Sequence, residues 1–180
     1  DVLLLDGGDF YQKNALSDPE YAEVMITMLD SMNYDAVVMG NHEFDWGDVL
    51  LYCADEGGTI KKSEIGNAED NDDPAIPFLA SDLYDAATEK RVTFTKDYVI
   101  VRKAGLKVAL IGYMPDFNAK SPAVKYEPYR IEDSTEKLNE LIHTVNEEEK
   151  PDLTVVMMHA QPEKYAMKLD PEEVCLVTGG

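Results

Sequence analysis

Ala36-Val37-Val38-Met39-Gly40-Asn41-His42-Glu43-Phe44-Asp45-Trp46-Gly47 sets four apolar residues directly against a turn dense in amide, imidazole and carboxylate groups. A short apolar run of this kind reads as a strand buried on both faces. The polar loop at its carboxyl end stands where open α/β sheets bind their ligands. Outward on the amino side, Val2-Leu3-Leu4-Leu5 is a second such run and leads into Asp6-Gly7-Gly8-Asp9. Between the two runs, Asp18 caps a helix with Pro19 at its first position. Tyr21, Met25, Met28, Leu29 and Met32 form its apolar stripe, and Asn33-Tyr34-Asp35 closes it. Strand, helix and strand in this order make a βαβ unit, which predicts parallel strands.

On the carboxyl side, a second helix is expected from Gly47-Asp48, carrying Val49, Leu50, Leu51 and Ala54 and ending at Glu56-Gly57-Gly58. Residues 59–74 are polar. Their acidic run, Glu69-Asp70-Asn71-Asp72-Asp73, lacks the glycine and regular alternation of a calcium loop and reads as a solvated loop. Residues 76–80 predict a strand. Residues 96–103 and 106–112 predict a hairpin about Ala104-Gly105. Residues 113–129, with three prolines, predict a surface excursion. Asp133-Ser134 caps a helix with Leu138, Leu141, Ile142 and Val145 on one face and His143 off it. Residues 153–158 form another buried run, followed at once by His159, and residues 174–177 predict a last buried strand before Gly179-Gly180. No repeat or linker interrupts residues 1–180, so a single domain is expected.

The 180 residues, 44% of them hydrophobic, are enough for one packed α/β domain. Against 16 Lys+Arg stand 36 Asp+Glu, a net charge of −20. That field repels nucleic acid and anionic membrane, and neither is an expected partner. It permits a phosphate substrate where bound cations dominate the local charge. No apolar run approaches the roughly 20 residues of a membrane span. Cys53 and Cys175 lack CxxC spacing and read as core thiols, with a disulfide between them as the alternative. Both ends of the chain read as core strands, so a domain truncated at both ends is expected, with any targeting segment lost.

Parallel strands would bring Asp9, Asn41, His42 and His159 to one rim. Carboxylate, amide oxygen and imidazole suit Zn²⁺, Mn²⁺, Fe or Mg²⁺ better than copper(I) or an iron–sulfur cluster. Asn41 and His42, as loop neighbours, point in different directions, so one can ligate while the other faces substrate. Asp45 could turn back to hold the imidazole of His42. Each residue has a plainer reading. Asp9 could brace a turn, Asn41 could be a turn residue, and Asp45 could cap the helix near Gly47. His42 and His159 could be structural, and Trp46 reads as packing.

The stretch from Gly40 to Gly47 resembles the GNHEFDxG signature of the 5′-nucleotidases, within the calcineurin-like metallophosphoesterases. Asp6-Gly7-Gly8-Asp9 is similar to that family's Gly-Asp motif, and Val155-Val156-Met157-Met158-His159 to its later strand-then-histidine motif. The final strand is similar to the one leading into its Gly-His-x-His motif. The resemblance implies an α/β fold, a four-layer α/β/β/α sandwich truncated at both ends. It implies two divalent metal ions, with Asp9 bridging them and Asn41 and His159 as ligands to one. It places His42 by the phosphate as general acid or transition-state stabiliser, paired with Asp45, and puts Asn41 and His42 against substrate. A hydroxide activated by the metal pair would attack phosphorus in line.

The implied activity is hydrolysis of nucleotide phosphoesters by a 5′-nucleotidase or 2′,3′-cyclic-nucleotide phosphodiesterase outside the cytoplasm. Its alternatives are a broader metallophosphoesterase and a non-catalytic surface or binding protein that keeps the fold. The family's leading Asp-x-His, its closing Gly-His-x-His and its C-terminal nucleotide-binding domain are not among these residues. A metal pair would therefore bind weakly here, and the 180 residues alone are expected to be inactive. Phe10 after Asp9 and Ala160-Gln161-Pro162 after His159 stand where the family usually has glycine, which predicts altered loop shapes.

Overall fold

The computed structural model describes residues 1–10, 28–29, 31–44, 76–115 and 128–179. Most of the helix expected after Asp18, the helix from Gly47, the acidic run 69–73, and Asp45, Trp46 and Cys53 lie outside these residues. In chain order the elements are β1 (Leu5–Asp6), β2 (Ala36–Val38), β3 (Phe78–Leu79), β4 (Leu83–Asp85), β5 (Tyr98–Lys103), β6 (Leu106–Tyr113), β7 (Tyr129–Ile131), α1 (Thr135–Glu149), β8 (Leu153–Met158), α2 (Pro162–Ala166) and β9 (Leu176–Gly179).

Two sheets stack face to face. The first has the order β1-β2-β3, all parallel, as the βαβ reading required. The second has the order β5-β6-β8-β9, with β5 antiparallel to β6 and the other pairs parallel. Side chains alternate across each strand, and this sorts the apolar residues into layers. Ala36, Val38 and Leu79 meet Val108, Leu110, Val155 and Met157 between the sheets. Ala109, Ile111, Val156 and Met158 face outward and receive Leu138, Ile142 and Val145 of α1. Each buried α1 side chain contributes roughly 1.5–3 kcal/mol. On the far side, Val37, Met39 and Phe78 pack with Leu29, Phe44 and Met114. The sheets leave no room for a side chain at Gly112, where an added Cβ would lie 2.2 Å from that of Leu79.

Local signals hold where backbone chemistry is strong. Ser134 caps α1 by accepting from the Lys137 N–H. Ala104 and Gly105 both have positive φ, 50° and 81°, as a two-residue hairpin turn of this hand requires. Asn33 (φ 56°) ends its helical turn, with the Tyr34 N–H donating to the Leu29 carbonyl at 3.3 Å.

Other expectations need correction. The last strand is shifted to Leu176–Gly179 and is not buried, because it pairs with β8 and no described strand covers its other edge; Leu176 is 53% exposed. Cys175, just before it, is an exposed free thiol and not a core one. Met28 and Met32, four apart on one helical face, point to solvent, while Leu29 on the adjacent face is buried. Most of the surface excursion expected over residues 113–129 lies outside the described residues; of its two ends, Tyr113 belongs to β6. Tyr129 begins β7, antiparallel to β4. Neither β4 nor α2 has a periodicity that marked it.

Candidate functional site

The site forms where β1, β2 and β8 end. The first loop turns on two successive left-handed residues, Gly8 (φ 89°) and Asp9 (φ 62°). The Gly8 N–H donates to Asp6 Oδ1 at 2.9 Å. Gly8 is also a matter of space, because a Cβ there would lie 2.9 Å from Gly40 N and 2.9 Å from His159 Nδ1. At the end of β2, Gly40 lets the second loop approach the first, since a Cβ on it would lie 2.4 Å from Asp9 Oδ1. The chain then makes a tight 3-10 turn, His42–Phe44.

The two carboxylate oxygens of Asp9 face different partners. Oδ1 accepts the His42 N–H at 2.9 Å and braces the turn. Oδ2 lies 3.1 Å from His159 Nε2 and 3.9 Å from His42 Nε2. The ligand and turn-bracing readings of Asp9 are therefore compatible. His159 is held from behind: its backbone N–H donates to the Tyr113 carbonyl at 3.1 Å, and Nδ1 lies 2.8 Å from the Gly7 carbonyl. A carbonyl can only accept, so Nδ1 carries a proton and Nε2 is the atom turned towards Asp9. Asn41 Oδ1 lies 3.2 Å from the same Nε2.

Asp9 Oδ2, Asn41 Oδ1 and His159 Nε2 thus converge, and together they call for a cation, either a second imidazole proton or a metal. Burial, the largest influence on His159, pulls its pKa down. Hydrogen bonds to Asp9 and to the Gly7 carbonyl, with the charges of Asp9 and Glu43, leave it raised. Burial pushes Asp9 up, but the His159 imidazole and the His42 N–H outweigh it and hold the carboxyl below its ordinary value. Donors about 2.1 Å from one ion stand about 3.0 Å apart in an octahedron and about 3.4 Å apart in a tetrahedron. The 3.1 and 3.2 Å separations lie within that span. Among the described residues, no group of three His, Cys, Asp or Glu side chains offers a cage; the third polar atom at this point is the amide oxygen of Asn41.

Of the expected site residues, Asp9, Asn41, His42 and His159 come together. Asp45 lies outside the described residues. His143, read as a surface histidine, is exposed and pairs with Glu173 at 2.6 Å. Sequence reasoning missed Glu43, which is 2% exposed and accepts from the N–H groups of Gly40 and Asp9. A usable signal was present, because an acid three residues after the loop's first residue can reach back to that residue's amide, as in a capping box.

No family model matches the chain. A 5′-nucleotidase of Vibrio cholerae is 33% identical over 159 residues, 88% of this chain and 26% of the relative. A 2′,3′-cyclic-nucleotide 2′-phosphodiesterase/3′-nucleotidase of Haemophilus influenzae is 30% identical over 130 residues, 63% of this chain and 17% of the relative. Among solved structures, the NAD nucleotidase of Haemophilus influenzae superposes on 99% of this chain and 29% of its own, with a TM-score of 0.71 at 18% identity. A calcineurin-like phosphoesterase of Bacillus subtilis covers 97% of this chain and 56% of its own, with a TM-score of 0.65 at 23% identity. The chain thus spans about a quarter of the Vibrio relative's length. Over 88% of its length the chain is thus related in sequence to part of a 5′-nucleotidase, and it shares the calcineurin-like phosphoesterase fold of these solved structures.

Proposed function

We propose that this chain carries part of the active site of a metal-dependent hydrolase of nucleotide phosphoesters. The observation that supports it is the convergence of Asp9 Oδ2, Asn41 Oδ1 and His159 Nε2 on the rim where the two sheets meet. These three residues would hold one divalent cation. Asp9 would also help to hold a second cation, while its Oδ1 accepts the His42 N–H. When bound, such ions lower the pKa of water and stabilise charge on phosphoryl oxygens. The chain's own contributions are positional and protic. The Gly7 carbonyl fixes the His159 tautomer. The Asp9–His42 hydrogen bond sets the turn that presents His42 beside the donors, where its imidazole would protonate the departing oxygen.

Cations at this rim would also reverse the sign of the local field, so that a phosphate can enter a chain of net charge −20. Further metal ligands and the nucleoside-binding surface would come from outside these 180 residues, in a protein exported from the cytoplasm. The test is phosphate release by the natural protein containing this chain. AMP should be hydrolysed with added Mn²⁺ or Zn²⁺, and EDTA should abolish the release. A 2′,3′-cyclic nucleotide is the second substrate to try, given the Haemophilus relative. Release from neither, nor from other phosphate esters, would leave the non-catalytic reading standing.

A further inference from the structure

Glu43 is a buried acid, 2% exposed, to which the proposed chemistry assigns no task. Its Oε2 lies 2.6 Å from Gly40 N and 2.9 Å from Asp9 N. Those amides belong to different loops, one after β2 and one after β1, so a single oxygen accepts from both. A carboxylate oxygen has two lone-pair directions, and two N–H donors occupy them. Oε2 is therefore committed to backbone and is not placed to ligate a metal.

The circuit continues from there. The Asp9 N–H that Glu43 accepts belongs to a residue held at φ 62°, a conformation few non-glycine residues adopt. Asp9 Oδ1 in turn accepts the His42 N–H. With the backbone and Oδ1 of Asp9 both fixed, Oδ2 is the oxygen left facing His159 Nε2 at 3.1 Å. Gly40 fits only because it has no side chain, since a Cβ would lie 2.7 Å from Glu43 Oε2. Gly40, Glu43, Asp9 and His42 thus form one connected unit, in which Glu43 Oε2 accepts from both loop backbones and Asp9 Oδ1 adds a second link between the loops.

We propose that Glu43 is a positioning residue. Through Oε2 it acts as a hydrogen-bond acceptor that clamps the Asp9 loop to the Asn41–His42 loop and so fixes the donor cluster. Its consequence for catalysis rests on the phosphoester-hydrolase reading, whereas the clamp itself does not.

The experiment compares Glu43→Gln, Glu43→Asp and Glu43→Leu in the natural protein. Amide hydrogen exchange of residues 6–10 and 39–44 is measured without metal, and Mn²⁺ affinity (by calorimetry), kcat and KM with metal. Gln keeps an acceptor oxygen at the same reach, so exchange, Mn²⁺ affinity and kcat should stay within about tenfold of wild type. Leu keeps the bulk and removes the acceptor. Exchange should then rise about 10–100-fold in both segments together, and Mn²⁺ affinity and kcat should fall about 10–100-fold, as when other supports of metal ligands are lost. KM should change less than kcat.

Asp keeps the charge but withdraws the acceptor by one methylene, so it should be worse than Gln. If Leu does not fold, the order of Gln and Asp decides. Gln as damaging as Leu, Asp better than Gln, or faster exchange in residues 39–44 alone would each overturn the clamp. A wild-type protein that hydrolyses no phosphoester would overturn the hydrolase reading, and the exchange data would still judge the clamp.

Discussion

His159 Nε2 stands 3.1 Å from Asp9 Oδ2, and this contact joins the two sheets at their carboxyl edge. Asp9 follows β1 of the three-stranded sheet and His159 follows β8 of the four-stranded one. The donor cluster therefore exists only while the sheets remain stacked through Ala36, Val38, Leu79, Val108, Leu110, Val155 and Met157. It follows that His159→Ala should remove a donor and leave the stacking core intact. Mn²⁺ affinity measured by calorimetry should fall by more than the roughly 100-fold typical of losing an outer support, with phosphate release falling alongside. An unchanged affinity would remove His159 from the ligand set.

His42 should behave differently. Its imidazole lies 3.9 Å from Asp9 Oδ2, beside the donors, and its structural contact is made by the backbone N–H. His42→Ala keeps that N–H. The expected result is a kcat lower by roughly 10²–10⁴ with Mn²⁺ affinity changed only a few-fold. Equal losses in both would mark His42 as a ligand.

Gly8 and Gly105 share a positive φ, 89° and 81°, but only Gly8 is crowded. Gly105→Ala should cost about 1 kcal/mol of conformational strain. Gly8→Ala adds the displacement of Gly40 N and His159 Nδ1, and should cost roughly 2–4 kcal/mol. Urea denaturation of the two variants checks the difference, and equal costs would show that the loop yields without resistance.

Asp82 predicts a pH effect away from the site. It is 3% exposed, and both its carboxylate oxygens accept the Met114 N–H, at 2.9 and 3.0 Å. Burial raises its pKa to about 7, against the lowering effect of that N–H and of Arg91. The folded protein therefore holds a proton that the unfolded chain releases at about pH 4. This contribution is fully present below pH 4 and is lost as pH rises towards 7. Asp82→Asn keeps an acceptor for Met114 and removes the charge. It should stabilise the protein at pH 8 by about 1–3 kcal/mol and have little effect near pH 4. Thermal or urea unfolding at the two pH values checks this, and a gain independent of pH would contradict it.

The local sequence determined most elements, for reasons internal to each segment. Ser134 caps its helix, Ala104-Gly105 turns its hairpin, and the apolar runs ending at Met39 and Met158 are strands. The site residues were legible because each follows an apolar run, although before Asp9 the strand is only Leu5–Asp6, half-buried, and Val2 is 73% exposed. The short pairing of β4 with β7 was not legible, because it joins segments far apart in sequence and neither has a periodicity of its own. Exposure at Cys175 and Leu176 was also hidden, since an apolar strand reads alike at the centre of a sheet and at its edge.

Gly40-Asn41-His42-Glu43 by itself determined which groups would be present: an amide oxygen, an imidazole and an acid within one turn. Only the tertiary structure decided their division of labour. The stacking of two sheets brings His159 to Asp9 and Asn41. It also turns Glu43 inward to two backbone amides, so that the acid nearest the candidate ligands in sequence becomes their support. The physical reason is that a lone pair can serve one partner at a time, and folding decides which partner arrives.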